Sequence, residues 1–313
     1  MSIEGIHHIT AITADGPRNV DFYARVLGLR LVKKTVNQDD PTAYHLFYAD
    51  ERGSHGADLT FFEYPGARRG RAGAGMVGRI VHRVGSEDAL GFWLDRLGGE
   101  AIPAERVDGA LRFADPEGLA HELRVVADGD APLIARSTEV PEQFALQGFD
   151  AVHAAVVDPR PSERLLADVL GFRPLGDGHA WEARGEARGG SIVLEPSRVR
   201  GLGGAGTVHH VAWAVRLGEE EEWRARVLAG GASPTPVIDR FYFRSVYFRE
   251  PGGVLFELAT MGPGFTTDEP LEHLGERLSL PPAFEYLRPQ LERILRPLPD
   301  TRGWRPAGAP AEA

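Results

Sequence analysis

The sequence predicts an α+β fold of four βαβββ modules, paired into two cupped half-barrel sheets. Three observations predict it. Two histidine pairs, His7-His8 and His209-His210, lie in near-identical apolar strand contexts at opposite ends of the chain. A strand–helix–strands pattern recurs four times, at a spacing of roughly 65–75 residues. Each helical stretch is closed by a glycine, the usual C-terminal stop signal.

The first module opens with an apolar, β-rich run over residues 5–13, followed by a helical pattern from Pro17 to Gly28 and strands at 29–36, 43–50 and 57–64. The second has a strand at 77–84, a helix from Ser86 to Leu97 stopped by Gly98-Gly99, and strands near 105–113 and 119–126. In the third, strand 150–157 precedes a helix from Pro161 to Leu170, then strands near 173–184 and 191–195. The fourth runs through strand 207–215, a helix from Glu219 to Leu228, and strands near 235–248 and 253–260. The expected organisation is an N-terminal domain, 1–135, holding modules 4–65 and 76–127, and a C-terminal domain, 148–262, holding the other two. Residues 263–313 carry one helix candidate, Ala283 to Leu295, and a Pro/Ala-rich end expected to be disordered. One module cannot bury both faces of its sheet, so modules must pair, and ligands on their first and last strands then converge inside a cup.

Composition narrows the function. With 313 residues, 42% hydrophobic and 26% charged, the chain reads as a soluble globular protein. A formal charge of −10 and the absence of a dense Lys/Arg block argue against nucleic-acid binding. The absence of cysteine excludes disulfides, thiolate metal sites and cysteine nucleophiles together. No long apolar run predicts a membrane span, and no signal-peptide pattern opens the chain, so a cytoplasmic location is expected.

Imidazoles and carboxylates placed inside Val/Ile/Phe-rich strands cost free energy unless something satisfies them. A divalent metal held by His8, His210 and Glu257 would do so. Two histidines and one carboxylate with open coordination positions are the ligand set of non-haem Fe(II) oxygenases. Aligned on their hydrophobic frame, the four first strands place His8, Arg83, Ala154 and His210 at the ligand position. The residues before it are His7, His82, His153 and His209. The last strands align as Phe62-Glu63, His121-Glu122, Leu194-Glu195 and Phe256-Glu257. Modules two and three lack the imidazole, so the live cup should join modules one and four. His82, His121 and His153 are read as hydrogen-bonded core residues, His45, His55, His179 and His273 as ordinary loop or strand-edge histidines, and Glu122 and Glu195 as scaffold carboxylates.

The stretches Gly5-Ile6-His7-His8-Ile9-Thr10, Phe22-Tyr23, Leu27-Gly28-Leu29, Gly206-Thr207-Val208-His209-His210-Val211 and Tyr247-Phe248-Arg249-Glu250-Pro251-Gly252-Gly253-Val254-Leu255-Phe256-Glu257 have a recognisable pattern. As a set they resemble the ring-cleaving hydroquinone dioxygenases of the vicinal oxygen chelate (glyoxalase/bleomycin-resistance/extradiol dioxygenase) superfamily, over about residues 4–290. The resemblance implies the vicinal oxygen chelate fold, Fe(II) or, with the same ligand types, Mn(II), O2, and a small aromatic diol as substrate. It places the metal on His8, His210 and Glu257, as the repeats do, and implies substrate-side roles for Thr10, His209, Arg240 and Tyr247. Strand alternation puts Thr10 on the face of His8, but turns His7 and His209 away unless a bulge intervenes. A hydroquinone offers the metal one oxygen, so a donor such as Arg240 would hold its far end.

Two other functions remain open at this point. If Glu63 reached the metal, the site would have two histidines and two glutamates, as in glyoxalase-type isomerases. A ligand-sequestering resistance protein would need the cup without the metal. Cupped sheets with exposed edges often pair, which makes a homo-oligomer one expectation.

Overall fold

The structure, a computed structural model, describes residues 1–176 and 178–306. The Pro/Ala-rich end from residue 307 lies outside the described residues. Two eight-stranded sheets carry the fold. The first is built from β1 (Ile6–Thr13), β2 (Arg30–Asn37), β3 (Asp40–Ala49) and β4 (Asp58–Glu63) of the first module, joined to β13 (Thr207–Val215), β14 (Ile238–Asp239), β15 (Arg244–Arg249) and β16 (Leu255–Thr260) of the fourth. Its order is β14-β15-β16-β13-β1-β4-β3-β2, with β1 and β13 antiparallel at the centre. The second sheet joins modules two and three in the same way. It runs from β5 (Met76–Val84), β6 (Ala104–Val107), β7 (Ala110–Ala114) and β8 (Ala120–Val125) to β9 (Phe149–Val156), β10 (Arg173–Leu175), β11 (Ala180–Arg184) and β12 (Gly189–Pro196). The pairing of module one with four and of two with three is therefore as the repeats predict.

Several long predicted strands are hairpins. The run near 105–113 splits into β6 and β7 around Asp108-Gly109, both at positive φ. Two of the helices change pitch. α1 (Gly16–Val20) continues as a π-helical turn over Asp21–Val26, and α3 (Arg160–Arg164) does the same over Leu165–Val169. α2 (Glu87–Gly99) starts on a Ser86 cap that accepts from the Ala89 amide, and α4 (Glu220–Ala229) is regular. Trp93 on α2 and Trp223 on α4 are fully buried, so each helix is anchored by one large ring in the core. The predicted 283–295 helix is a 3-10 turn, Pro282–Leu287, leading into α5 (Arg288–Ile294), because Pro289 can stand only in a first turn.

The connections also pair. Bridges between Arg69 and Ala205, Arg71 and Leu202, and Ala74 and Arg200 tie the linker after module one to the linker after module three. Residues 263–280 fold back over the first cup. Phe265 and Leu274 pack with Phe47, Tyr242 and Phe243, and Leu278 bridges Lys34 along β2, the sheet edge. The fully buried Lys33 ammonium is held there by Asp268 (2.7 Å) and Glu269. Among the described residues no helix is long and apolar enough to cross a membrane.

Candidate metal centre

The two central strands carry the histidine pairs, and each pair sits on an irregularity. Between Ile6 and His8 the register of β1 against β13 gains a residue, which is His7. Between Val208 and His210 the extra residue is His209. A bulge breaks the alternation of strand side chains, so neighbours that would point apart can share one region. The geometry here is symmetrical. His8 Nδ1 lies 2.9 Å from His7 Nδ1, and His210 Nδ1 lies 2.8 Å from His209 Nδ1. The other nitrogens converge: His8 Nε2 and His210 Nε2 are 3.3 Å apart, and Glu257 Oε2 is 3.2 Å from the first and 2.8 Å from the second. All three residues are buried, Glu257 completely.

The tautomers follow from the partners. Thr260 O can only accept, and it lies 3.1 Å from His7 Nε2, so that nitrogen carries the hydrogen. Burial pushes the His7 imidazole well below its usual range, so the ring is neutral and its Nδ1 is a lone pair. His8 then donates from Nδ1 and is left with a bare Nε2. The 2.8 Å contact of His210 with His209, a ring pushed down to about 4 chiefly by burial, allows the same tautomer, in which His210 donates from Nδ1 and keeps Nε2 bare. Two nitrogen lone pairs and a carboxylate oxygen with no hydrogen-bond donor thus face one another. Such a cluster repels itself unless a cation sits between its members. Three donors on one face of an octahedron, each about 2.1 Å from a metal, stand about 3.0 Å apart. The three edges observed fit that spacing, and these are the residues among those described that could hold an ion. Burial makes the charge of the Glu257 carboxylate costly, and a cation held between the three donors would offset that cost. Its second oxygen accepts from Ser245 Oγ at 2.5 Å, which fixes its rotation.

A cleft opens over the cluster, lined by Thr10, His45, Phe47, Phe62, Arg240, Tyr242, Phe243 and Tyr247 as well as His8 and His210. Of the substrate-side candidates, Thr10, Arg240 and Tyr247 line it. His209 does not, and its ring instead backs His210. Arg240 is not a free strand-edge cation: both of its terminal nitrogens bond Asp39, at 3.0 and 2.9 Å, and its guanidinium lies 5.4 Å from the Tyr247 ring centre. Burial, then Glu257, pushes the Tyr247 phenol up, so it stays protonated. Phe243 packs against His8, with ring centres 5.1 Å apart.

Three sequence assignments need correction. Glu63 does not approach the cluster. It lies on the opposite face of β4, where it accepts from the Gly16 amide at 2.8 Å and caps α1. The register shows why: Glu257 pairs with Ala212, two residues beyond His210, and the corresponding partner of Thr10 in module one is Thr60. In the second sheet the bulged residues are Gly78 and Asp150, so the histidine positions are filled by Arg79 and Ala151, not by Arg83 and Ala154, and the counterpart of Glu257 in module three is Val193, not Glu195. Glu122 does hold the glutamate position of module two. His45, read as an ordinary strand-edge residue, lines the cleft. The dipeptides His82-Arg83 and His153-Ala154 imitate the true pairs, and a period-two pattern contains no sign of a bulge. Two residues that the sequence did not flag, Thr60 and Ser245, bond the candidate residues Thr10 and Glu257 through single hydroxyls and carry no motif.

Residues 5–123 match the family described as the Glyoxalase/Bleomycin resistance protein/Dioxygenase superfamily. The chain is 37% identical over 322 residues to a Bacillus subtilis protein named "Putative ring-cleaving dioxygenase MhqA", covering 95% of this chain and all of that one. It is 31% identical over 312 residues to the chlorohydroquinone/hydroquinone 1,2-dioxygenase of Sphingobium indicum, covering 94% and 96% of the two chains. The crystal structure of a Bacillus subtilis protein named "putative dioxygenase" superimposes with a TM-score of 0.87 at 39% identity, over 95% of this chain and 98% of that one. Glyoxalase I from Zea mays shares the fold, with a TM-score of 0.59 at 16% identity, over 87% and 96% of the two chains.

Proposed function

Since this chain belongs to the glyoxalase/bleomycin resistance protein/dioxygenase superfamily and is a dioxygenase of its ring-cleaving group, we propose that it is a cytoplasmic Fe(II) enzyme that opens hydroquinone- or catechol-type aromatic diols with O2. The observation that carries this reading is the convergence of the His8 and His210 Nε2 lone pairs on the donorless Glu257 Oε2. A facial set of this kind leaves adjacent positions free, and bound Fe(II), or Mn(II) in the same donors, supplies a common site for a phenolate oxygen and O2.

The surrounding residues do the rest. Phe47, Phe62 and Phe243 give the cleft apolar walls suited to an aromatic ring. His7 and His209 keep the ligand imidazoles in the tautomer that leaves Nε2 free. Arg240, oriented by Asp39, presents a cation to the cleft beside Tyr247, where it can hold the far hydroxyl of a para diol. Tyr247 keeps its proton in this buried setting and can donate it, or a hydrogen bond, to oxygen that becomes anionic as the ring opens.

The test is anaerobic reconstitution with Fe(II), then oxygen uptake on hydroquinone, methylhydroquinone and catechol. Stoichiometric uptake with a new ring-fission absorbance, abolished in His8→Ala and Glu257→Ala, is the expected result. A protein fully loaded with Fe(II) or Mn(II) that consumes no O2 with any diol would overturn the reading.

A further inference from the structure

One histidine in the cleft is used neither by the metal set nor by the substrate-side residues considered so far. His45, on β3, holds its ring between Phe47 and Phe62, with centres 3.9 and 4.4 Å away. Its Nε2 is 2.9 Å from Thr60 Oγ1, and Thr60 donates to Thr10 Oγ1 at 2.8 Å. Thr10 and Thr60 are register partners on β1 and β4, both fully buried, and Thr10 faces His210 across β13. Thr10 and His45 both line the cleft.

The chain has a direction. When Thr10 donates to an anionic oxygen in the cleft, its Oγ1 accepts from Thr60, whose single hydrogen is then used, so the contact with His45 is made by the imidazole N–H. Thr10 accepts from Thr60 and keeps its own hydrogen, which is free to point into the cleft. Hydrogen bonds in series polarise one another, so the chain strengthens the hydrogen that Thr10 presents. Burial keeps the His45 ring neutral. The ring supplies direction rather than a proton.

We propose that His45 is a positioning residue that, through Thr60, fixes Thr10 as a hydrogen-bond donor to an anionic oxygen of an aromatic ligand, a phenolate, in the metal cleft. Without the chain, Thr10 could equally present a lone pair, which a phenolate repels. The identity of the oxyanion, and with it the direction of the chain, rests on the dioxygenase function proposed above.

The experiment titrates the Zn(II)-loaded protein with 4-nitrophenolate, whose visible band reports the ionised form. Thr60→Val breaks the chain, and His45→Phe keeps a ring between Phe47 and Phe62 without the donor. Both should weaken binding about tenfold, in line with loss of one charge-assisted hydrogen bond. Thr60→Ser and His45→Gln, which restore a hydroxyl and an amide N–H, should recover to within about threefold of wild type, a rescue that a packing role would not give. Unchanged binding in Thr60→Val, or His45→Gln as weak as His45→Phe, would overturn the inference. If the phenylalanine variant does not fold, the valine and serine pair at Thr60 carries the comparison. Wild-type protein that consumes O2 with diols while Thr60→Val binds nitrophenolate normally defeats the chain alone. Wild-type protein that neither binds nitrophenolate nor consumes O2 defeats the dioxygenase reading and this inference with it.

Discussion

Replacing His7 with phenylalanine removes the acceptor of the His8 Nδ1–H without touching a metal-facing atom. In the native arrangement two hydrogen bonds in series, 2.9 Å to His7 and 3.1 Å on to the Thr260 carbonyl, hold His8 with a bare Nε2. Once His7 is gone, the metal-free His8 is free to move its hydrogen to Nε2 and donate to Glu257 Oε2, 3.2 Å away. Metal binding must then undo that bond and leave Nδ1–H buried without an acceptor. A neutral hydrogen bond is worth about 1 kcal/mol net, and a buried unsatisfied donor costs about 1–3 kcal/mol. Together, at about 2–4 kcal/mol, they predict metal binding weaker by about 30–900-fold, overlapping and exceeding the usual scale of about 10–100-fold for losing an outer partner of a metal histidine. Competition against a chromophoric chelator measures this directly, with near-ultraviolet circular dichroism as the fold control. A His7→Phe protein with native dichroism and a metal Kd within about twofold of wild type would refute the tautomer argument.

Other consequences can be checked with simpler assays. Glu63→Ala should leave metal stoichiometry and affinity unchanged while lowering stability by about 1 kcal/mol, the value of a lost helix cap; a change in metal affinity on chelator competition would return Glu63 to the ligand set. Asp58 is buried with no hydrogen-bond partner on either oxygen among the described residues, and burial, then Asp50, pushes its carboxyl well above the ordinary range. The folded protein therefore keeps a proton that the unfolded chain loses above about pH 4, so this group makes stability fall as pH rises beyond that point. Asp58→Asn should raise Tm more at pH 8 than at pH 5, and an equal rise at both would contradict the assignment. Arg240→Lys cannot reproduce the two-point bond to Asp39, and should raise KM for a para diol about tenfold while affecting catechol less. Steady-state oxygen uptake on both substrates decides that point.

The module pattern and the pairing of modules were legible because both rest on long-range periodicity and on glycine stops, which survive in a single sequence. His8, His210 and Glu257 were legible for a related reason: ionisable groups in apolar strands need a partner, and here the repeats offered the same one twice. What could not be read was register. A bulge adds one residue without disturbing composition, so Glu63 looked equivalent to Glu257 although Thr60 holds that place, and Arg83 looked equivalent to His8 although Arg79 does. His7 and His209 show the same gap from the other side. Alternation pointed them away from the metal face, and the bulges bring each beside the imidazole it orients. His45 has no sequence mark, because its role depends on two threonine hydroxyls from other strands.

The second cup shows what the first must do with its buried carboxylate. Glu122 occupies in module two the place of Glu257 in module four, and is equally inaccessible. There the histidine positions hold Arg79 and Ala151, and the charge of Glu122 is met by Arg79 Nε at 3.1 Å, Arg112 Nε at 2.8 Å and Arg124 at 2.5 Å. Both oxygens are paired by guanidinium groups that belong to the protein, so the anion is neutralised and no coordination position is left. In the first cup only one oxygen of Glu257 receives a hydrogen bond, from Ser245, and the other faces two imidazole lone pairs. The same strand position thus has two stable solutions. A tethered cation closes the site and makes it scaffold, whereas two bare imidazole nitrogens leave the carboxylate dependent on an ion from solution, and an ion from solution can keep open positions for a ligand.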